Sequence, residues 1–97
     1  MIRHIAMFKF KDGVTQEQVD ELTAALMALP PVITEIEAYA CGPDLGLVDE
    51  TWDYVVTADF ATPDGYRVYA DHPTHVEAAV NVAKPLMAAS QRVQFEL

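Results

Sequence analysis

Apolar and polar residues along this chain follow two periods, and the changes of period mark out its elements. Residues 2–10, IRHIAMFKF, alternate: Ile2, His4, Ala6, Phe8 and Phe10 on one side, Arg3, Ile5, Met7 and Lys9 on the other. That is the pattern of a strand with one mostly apolar and one mixed face. Asp12-Gly13 supplies turn chemistry after it. Thr15 with Gln18 forms a capping box, Val14 and Val19 can staple across it, and Val19, Leu22, Leu26 and Leu29 recur at helical spacing. Pro30-Pro31 stops that helix. Residues 33–41, ITEIEAYAC, read as a weaker strand, and Gly42 to Glu50 as a polar loop. Residues 51–60, TWDYVVTADF, alternate again, with Trp52, Tyr54, Val56, Ala58 and Phe60 on one face. Thr62-Pro63 opens a second helix that carries Tyr66, Tyr69 and Ala70 on one side and is broken at Pro73. Thr74 with Glu77 reads as another capping box, so a third helix is expected from about His75, with Ala78, Ala79 and Val82 as a small-residue face and Pro85 as its kink or end. Val93, Phe95 and Leu97 alternate with Arg92, Gln94 and Glu96 in a last strand.

The order β-α-β-β-α(α)-β predicts an α+β domain: a four-stranded antiparallel sheet, the first and third strands central, helices on one face. Residue pairing supports this. With Arg3 opposite Asp59, Ile5 meets Thr57, Met7 meets Val55 and Lys9 meets Asp53, so charge pairs bracket an apolar middle. The same register pairs His4 with Ala58, Ala6 with Val56, Phe8 with Tyr54 and Phe10 with Trp52 on the face assigned to the helices. Ile5, Met7, Val55 and Thr57 are then left on the open face. A small chain has little core, and pairing two such faces in an isologous homodimer would bury them; the bland alternative is a solvated face with scattered apolar residues.

Composition narrows the classes of function. The 97 residues predict one domain, 1–97. Lysine plus arginine is 6 and aspartate plus glutamate 15, so 6 − 15 = −9, a surface that repels nucleic acid and anionic membranes. One cysteine, Cys41, rules out an intrachain disulfide framework. No apolar run approaches the ~18 residues of a membrane helix, and Arg3, His4, Lys9 and Lys11 interrupt any signal-peptide pattern at the start. A cytoplasmic protein is expected.

The opening IRHIAMFKFK, the helix after it, WDYVVTADF and then YADHPTHVEAAVNVAKPL together resemble the stress-responsive dimeric α/β-barrel (Dabb) family over essentially the whole chain. The most specific parts are His4 on the first strand and the segment from Tyr69 to Val76, with Lys84-Pro85-Leu86 after it. The resemblance implies a ferredoxin-like fold whose sheets pair into a barrel across a two-fold axis. Fold alone does not carry function. Polyketide-cyclase members of the family close a tetraketide by aldol condensation in a pocket between helices and sheet. A tyrosine three residues before the first histidine of the HPxH segment, and the second histidine of that segment, carry the chemistry there; Tyr69 and His75 match these positions, and His4 matches a pocket-lining histidine. The wall expected here is His4, Ala6, Phe8 and Val56 from the sheet, with Leu22, Leu26, Ala78 and Ala79 from the helices. These helix residues replace the cyclase's bulky aromatics, so an alkylresorcinol-type substrate does not follow.

The residues themselves allow the same chemistry. Placed just after a helix cap, His75 would have its pKa lowered by the helix dipole and be kept neutral, as a general base needs to be. Tyr69 could donate to a developing enolate or alkoxide. The structural alternatives are that His75 bonds within the helix break, that His4 is a satisfied core residue and that His72 orders the turn before Pro73. His72 and His75 make no metal pair, because Pro73 intervenes and no third ligand has a familiar spacing. No cofactor motif is present: there is no glycine-rich phosphate loop and no G-x-S-x-G elbow. Two functions stay open: a cofactor-free, cyclase-like or isomerase-like enzyme acting on a carbonyl-bearing hydrophobic molecule, or a non-catalytic stress-responsive dimer that binds a small apolar ligand.

Overall fold

The computed structural model describes residues 1–97. Strand β1 (Ile2–Phe10) leads to helix α1 (Gln16–Met27), strands β2 (Ile36–Pro43) and β3 (Tyr54–Phe60), and helices α2 (Pro63–Asp71) and α3 (Pro73–Ala78). A π-helical turn (Ala79–Ala83) and a 3₁₀ turn (Lys84–Leu86) then deliver the chain to strand β4 (Met87–Glu96). The sheet order is β2-β3-β1-β4, antiparallel throughout, with β1 and β3 central as the ferredoxin-like arrangement requires.

The register expected from residue pairing is present from Ile2 opposite Phe60 to Phe8 opposite Tyr54. Arg3 grips Asp59 with Nε and Nη2 at 2.7 and 2.9 Å, a fork that fits a carboxylate in only one register. The hydrogen bond and charge of Arg3 hold the Asp59 carboxyl below its ordinary range. Beyond Tyr54 the expectation fails. Asp53 donates its N–H to the Phe8 carbonyl at 2.9 Å, but its carboxylate captures the Phe10 N–H at 2.8 Å. A side chain thus takes the place of a backbone partner, and residues 51–53 leave the ladder. Lys9 donates to the Thr51 carbonyl and lies 5.8 Å from the Trp52 ring centroid rather than pairing with Asp53.

Other boundaries shift for local reasons. The Thr15–Gln18 capping box forms as expected. After α1, two turns built on the Leu29 and Ile33 carbonyls carry the chain past Pro31, so β2 starts at Ile36 and Ile33 is a core residue rather than a strand residue. Helix α3 is capped by His72, not Thr74: His72 Nδ1 accepts the Thr74 N–H at 3.2 Å, so the helix begins at Pro73. Pro85 cannot donate and its ring crowds the turn before it. The Lys84 N–H reaches back five residues to the Ala79 carbonyl, widening that turn into a π-helix. Strand β4 starts earlier than the alternation showed, because Met87 pairs with Phe10 across a bulge at Lys9 and Phe10.

Helices cover one sheet face. Val19, Leu22, Leu26 and Leu29 pack on Tyr54, Val56, Ala58 and Phe60, with Leu22 and Phe60 fully buried. Replacing Leu22 by alanine removes about 3 kcal/mol of unfolding free energy by leaving a core cavity. Urea denaturation at fixed protein concentration measures it; a loss below about 1 kcal/mol would show that the core collapses onto the gap.

Candidate functional site

Between the helix layer and the outer half of the sheet lies a cavity of about 340 Å³. Its floor is His4, Ala6 and Phe8 of β1 with Val56 of β3. Leu26 closes one side, Tyr69 and Ala70 of α2 another, and His75 and Ala79 of the following segment form the roof. Six of the eight wall residues expected from sequence, together with Tyr69 and His75, therefore meet in one cavity. The other two, Leu22 and Ala78, do not line it. Leu22 sits a turn before Leu26, deep in the core. Ala78 and Ala79 are neighbours on a helix, about 100° apart around its axis, and cannot both face the same space; Ala78 is buried elsewhere.

The structure also adds residues that sequence reasoning did not place. Tyr66 joins from α2, and Val80 and Ala83 from the π-helical turn, whose widening puts small side chains over the cavity. Lys84 lines it from the 3₁₀ turn, and Ser90 and Arg92 from β4. Arg92 and Gln94 stand opposite Ala6 and His4 on the helix side of the edge strand. Their alternation with Val93 and Phe95 was the available signal.

Hydrogen bonding fixes the protons of both histidines. Nδ1 of His75 donates to the Ala70 carbonyl at 3.1 Å, which in a neutral ring leaves Nε2 as a lone pair. The Gln94 side-chain amide donates to Nδ1 of His4 at 2.9 Å, so a neutral His4 carries its proton on Nε2. One ring is thus an acceptor and the other a donor. Neither Nε2 has a protein partner, yet no fully buried side-chain polar atom is unsatisfied, so both are reachable from the cavity.

Both rings are held neutral. Burial lowers the His4 pKa to about 4, and the charges of His75 and Arg92 act in the same direction. Burial also lowers that of His75, opposed by its bond to Ala70 and aided by His72 and Arg92. Desolvation is the largest cause of both shifts. The His75 and Tyr69 rings lie 4.2 Å apart, centroid to centroid, with no hydrogen bond between them. Tyr69 bonds instead to the Tyr39 hydroxyl at 3.1 Å. Burial pushes Tyr69 up to about 12 and the bond from Tyr39 pulls it back, while Tyr39 is raised further. Either hydroxyl can donate in this pair, and both keep their protons at neutral pH. The third histidine, His72, caps α3.

A second hollow, of about 300 Å³, lies on the open sheet face beside Met7, Trp52 and Val55. It has no histidine, and its Asp44 carboxylate is occupied by the Gly46 N–H and the Thr51 hydroxyl. No group of three or more histidine, cysteine or acidic residues is arranged to hold a metal ion.

An open antiparallel sheet with a histidine-bearing cavity beneath its helices defines the class, and the sequence assigns the family within it. The family model described as "Stress responsive A/B Barrel Domain" matches residues 2–97, and the chain belongs to that family. It is 45% identical to a dimeric ferredoxin-like protein of unknown function from Thermobifida fusca, with a TM-score of 0.91 and coverage of 99% of this chain and 90% of the other. It is 28% identical over 80 residues to the stress-response A/B barrel protein HS1 of Arabidopsis thaliana, covering 80% of this chain and 73% of that protein. To olivetolic acid cyclase of Cannabis sativa it is 26% identical over 77 residues, 77% of this chain and 76% of the cyclase.

The folded pKa of His4, about 4, lies below its unfolded value of 6.5. As pH falls between those values the unfolded chain binds a proton that the folded one refuses, so stability falls across that window and levels off below it. NMR titration of the imidazole is expected to give a midpoint near 4, and His4→Gln to flatten the stability curve over the same window. A midpoint close to 6.5 would mean that the ring is solvated.

Proposed function

We propose that this protein is a cofactor-free acid–base catalyst acting on a hydrophobic, carbonyl-bearing small molecule of polyketide-like kind, and that it works as a homodimer. The observation that carries the reading is the tautomer of His75: its Nδ1–H is spent on Ala70, so the cavity receives a neutral imidazole lone pair beside Tyr69. In this reading Nε2 of His75 takes a proton from a C–H next to a carbonyl. The Tyr69 hydroxyl, steadied by Tyr39, donates to the oxygen on which charge develops. The Nε2–H of His4 orients a carbonyl from the cavity floor. The carbanion then either attacks a second carbonyl of the same molecule, closing a ring, or is reprotonated at another carbon, which is isomerisation. Proton transfer suffices for both. The similarity to olivetolic acid cyclase supports this class of reaction.

Enzyme-catalysed exchange of an acidic C–H in D₂O tests the first step without knowledge of the final product. With β-keto acids and their thioesters, exchange above the buffer rate is expected. His75→Asn should reduce it by about 10²-fold or more, and Tyr69→Phe by a smaller factor. Wild-type exchange at the buffer rate with every substrate of this class would overturn the reading. It would favour the second one, a non-catalytic stress-responsive dimer that binds a small apolar ligand. The engagement of the Tyr69 hydroxyl with Tyr39 and the similarity to HS1 are the observations on that side.

The dimer would form through the open sheet face. Ile5, Met7, Val55 and Thr57 make its centre, and Val93 and Phe95 of β4, 51% and 46% exposed, continue the patch. The Thermobifida relative is described as dimeric. Met7→Asp would place two carboxylates near the two-fold axis in a desolvated patch. Native mass spectrometry is then expected to show monomers; an unchanged dimer mass would remove this interface.

A further inference from the structure

The mouth of the cavity carries charges that the acid–base reading leaves unused. The chain has 6 lysines and arginines against 15 acidic residues. Arg3 is tied to Asp59, Arg67 to Asp64, and Lys9 to the Thr51 carbonyl. Lys11, Lys84 and Arg92 have no side-chain acceptor in the protein, and two of these three line the same cavity. No aspartate or glutamate lines it. On a surface where acids outnumber bases more than twofold, an apolar cavity rimmed by two free cations reverses the local field. The cations come from unrelated elements, Arg92 from the edge strand beside Ala6 and Lys84 from the turn after the π-helix, and both are exposed to water. Behind them the walls are Ala6, Val56, Leu26, Ala79 and Val80. The histidines do not supply a third cation, because both are held neutral.

We propose that the cavity takes an apolar carboxylic acid, its chain among the small residues of the floor and roof and its carboxylate held at the mouth by Arg92 and Lys84. Charge and shape complement each other in this placement. A guanidinium offers a carboxylate two parallel N–H donors, and an ammonium adds a point charge. A volume of about 340 Å³ is at the small end of ligand sites, which suits a medium-chain or phenylalkyl acid. The proposal rests on the preceding reading in treating this cavity as the ligand site. It extends that reading by naming the anionic head and the two residues that select it.

Octanoate and its neutral isostere octanamide separate the charge from the chain. Titrations followed by NMR are expected to shift the amides of Ala6, Val56 and Ala79. At low ionic strength octanoate should bind about tenfold or more tightly than octanamide, and added salt should shrink that preference. Arg92→Gln should abolish most of the preference, Arg92→Lys should retain part of it, and Lys84→Gln should weaken it. Arg67→Gln, which removes a cation that is paired with Asp64 and does not line the cavity, should change nothing. Native mass and circular dichroism establish that each variant is folded. Octanamide binding as tightly as octanoate overturns the proposal, as does a preference that survives in Arg92→Gln/Lys84→Gln, shifts confined to the open sheet face, or no octanoate binding. Selective octanoate binding without any C–H exchange would instead leave the anion site standing and remove the catalytic reading.

Discussion

The pairing of β1 with β3 in a single register is the constraint on which the rest depends. Side chains alternate across a sheet, so a slip of one residue would exchange every inward residue for an outward one. His4, Ala6 and Phe8 would then leave the cavity, and Arg3, Ile5 and Met7 would enter the core. Two features hold the register. The large residues Tyr54 and Phe60 have only one face against which they can be buried. The Arg3–Asp59 fork adds a directional contact on the other face. An exposed ion pair alone adds little stability, but a bidentate one with Asp59 only 7% exposed discriminates between registers. The site is thus built on two central strands rather than on loops.

The other half of the site comes from a region where the helix is deliberately irregular. His72 caps a new helix one residue after α2 ends, so Tyr69 and His75 are brought ring against ring. Pro85 then forces the turn before it into a π-helix. The widened turn places Ala79, Val80 and Ala83 along the cavity, with Ala83 also packed into the core. Two prolines and a capping histidine, placed about a dozen residues apart, thus bound the segment that roofs the cavity.

Much of this architecture is legible in the sequence because it rests on short-range rules. Alternation locates β1 and β3, complementary charges at Arg3 and Asp59 set their register, and Thr15 with Gln18 marks the start of α1. What escapes is whatever depends on one side chain replacing a backbone partner. Asp53 does so at the end of β3, and His72 does so at the start of α3. Position in a wall is harder still. Leu22 and Leu26 share a helix face, yet only Leu26 reaches the cavity. Arg92 is visible as an alternating polar residue, but its role depends on which face of an edge strand the helices leave uncovered. Tyr69 and His75 are found through the family resemblance; the tautomer that makes His75 a base depends on the Ala70 carbonyl, a backbone atom no side-chain pattern encodes.

Acid–base chemistry and an anionic ligand make opposing demands on one small cavity. A general base must be neutral near pH 7, so the cavity must be dry or must hold positive charge nearby. A carboxylate inside it would favour the protonated imidazole and spoil the base. The structure separates the two demands in space. His4 and His75 sit at the floor and the roof, where burial keeps them neutral, while Arg92 and Lys84 stand at the mouth with their heads in water. Arg92 serves both ends, since its charge also disfavours protonation of each histidine. A carboxylate bound at the mouth is neutralised by the cations there before its field reaches the rings. Its chain is then directed inward, and any carbonyl along that chain is carried toward the lone pair of His75 and the proton of His4.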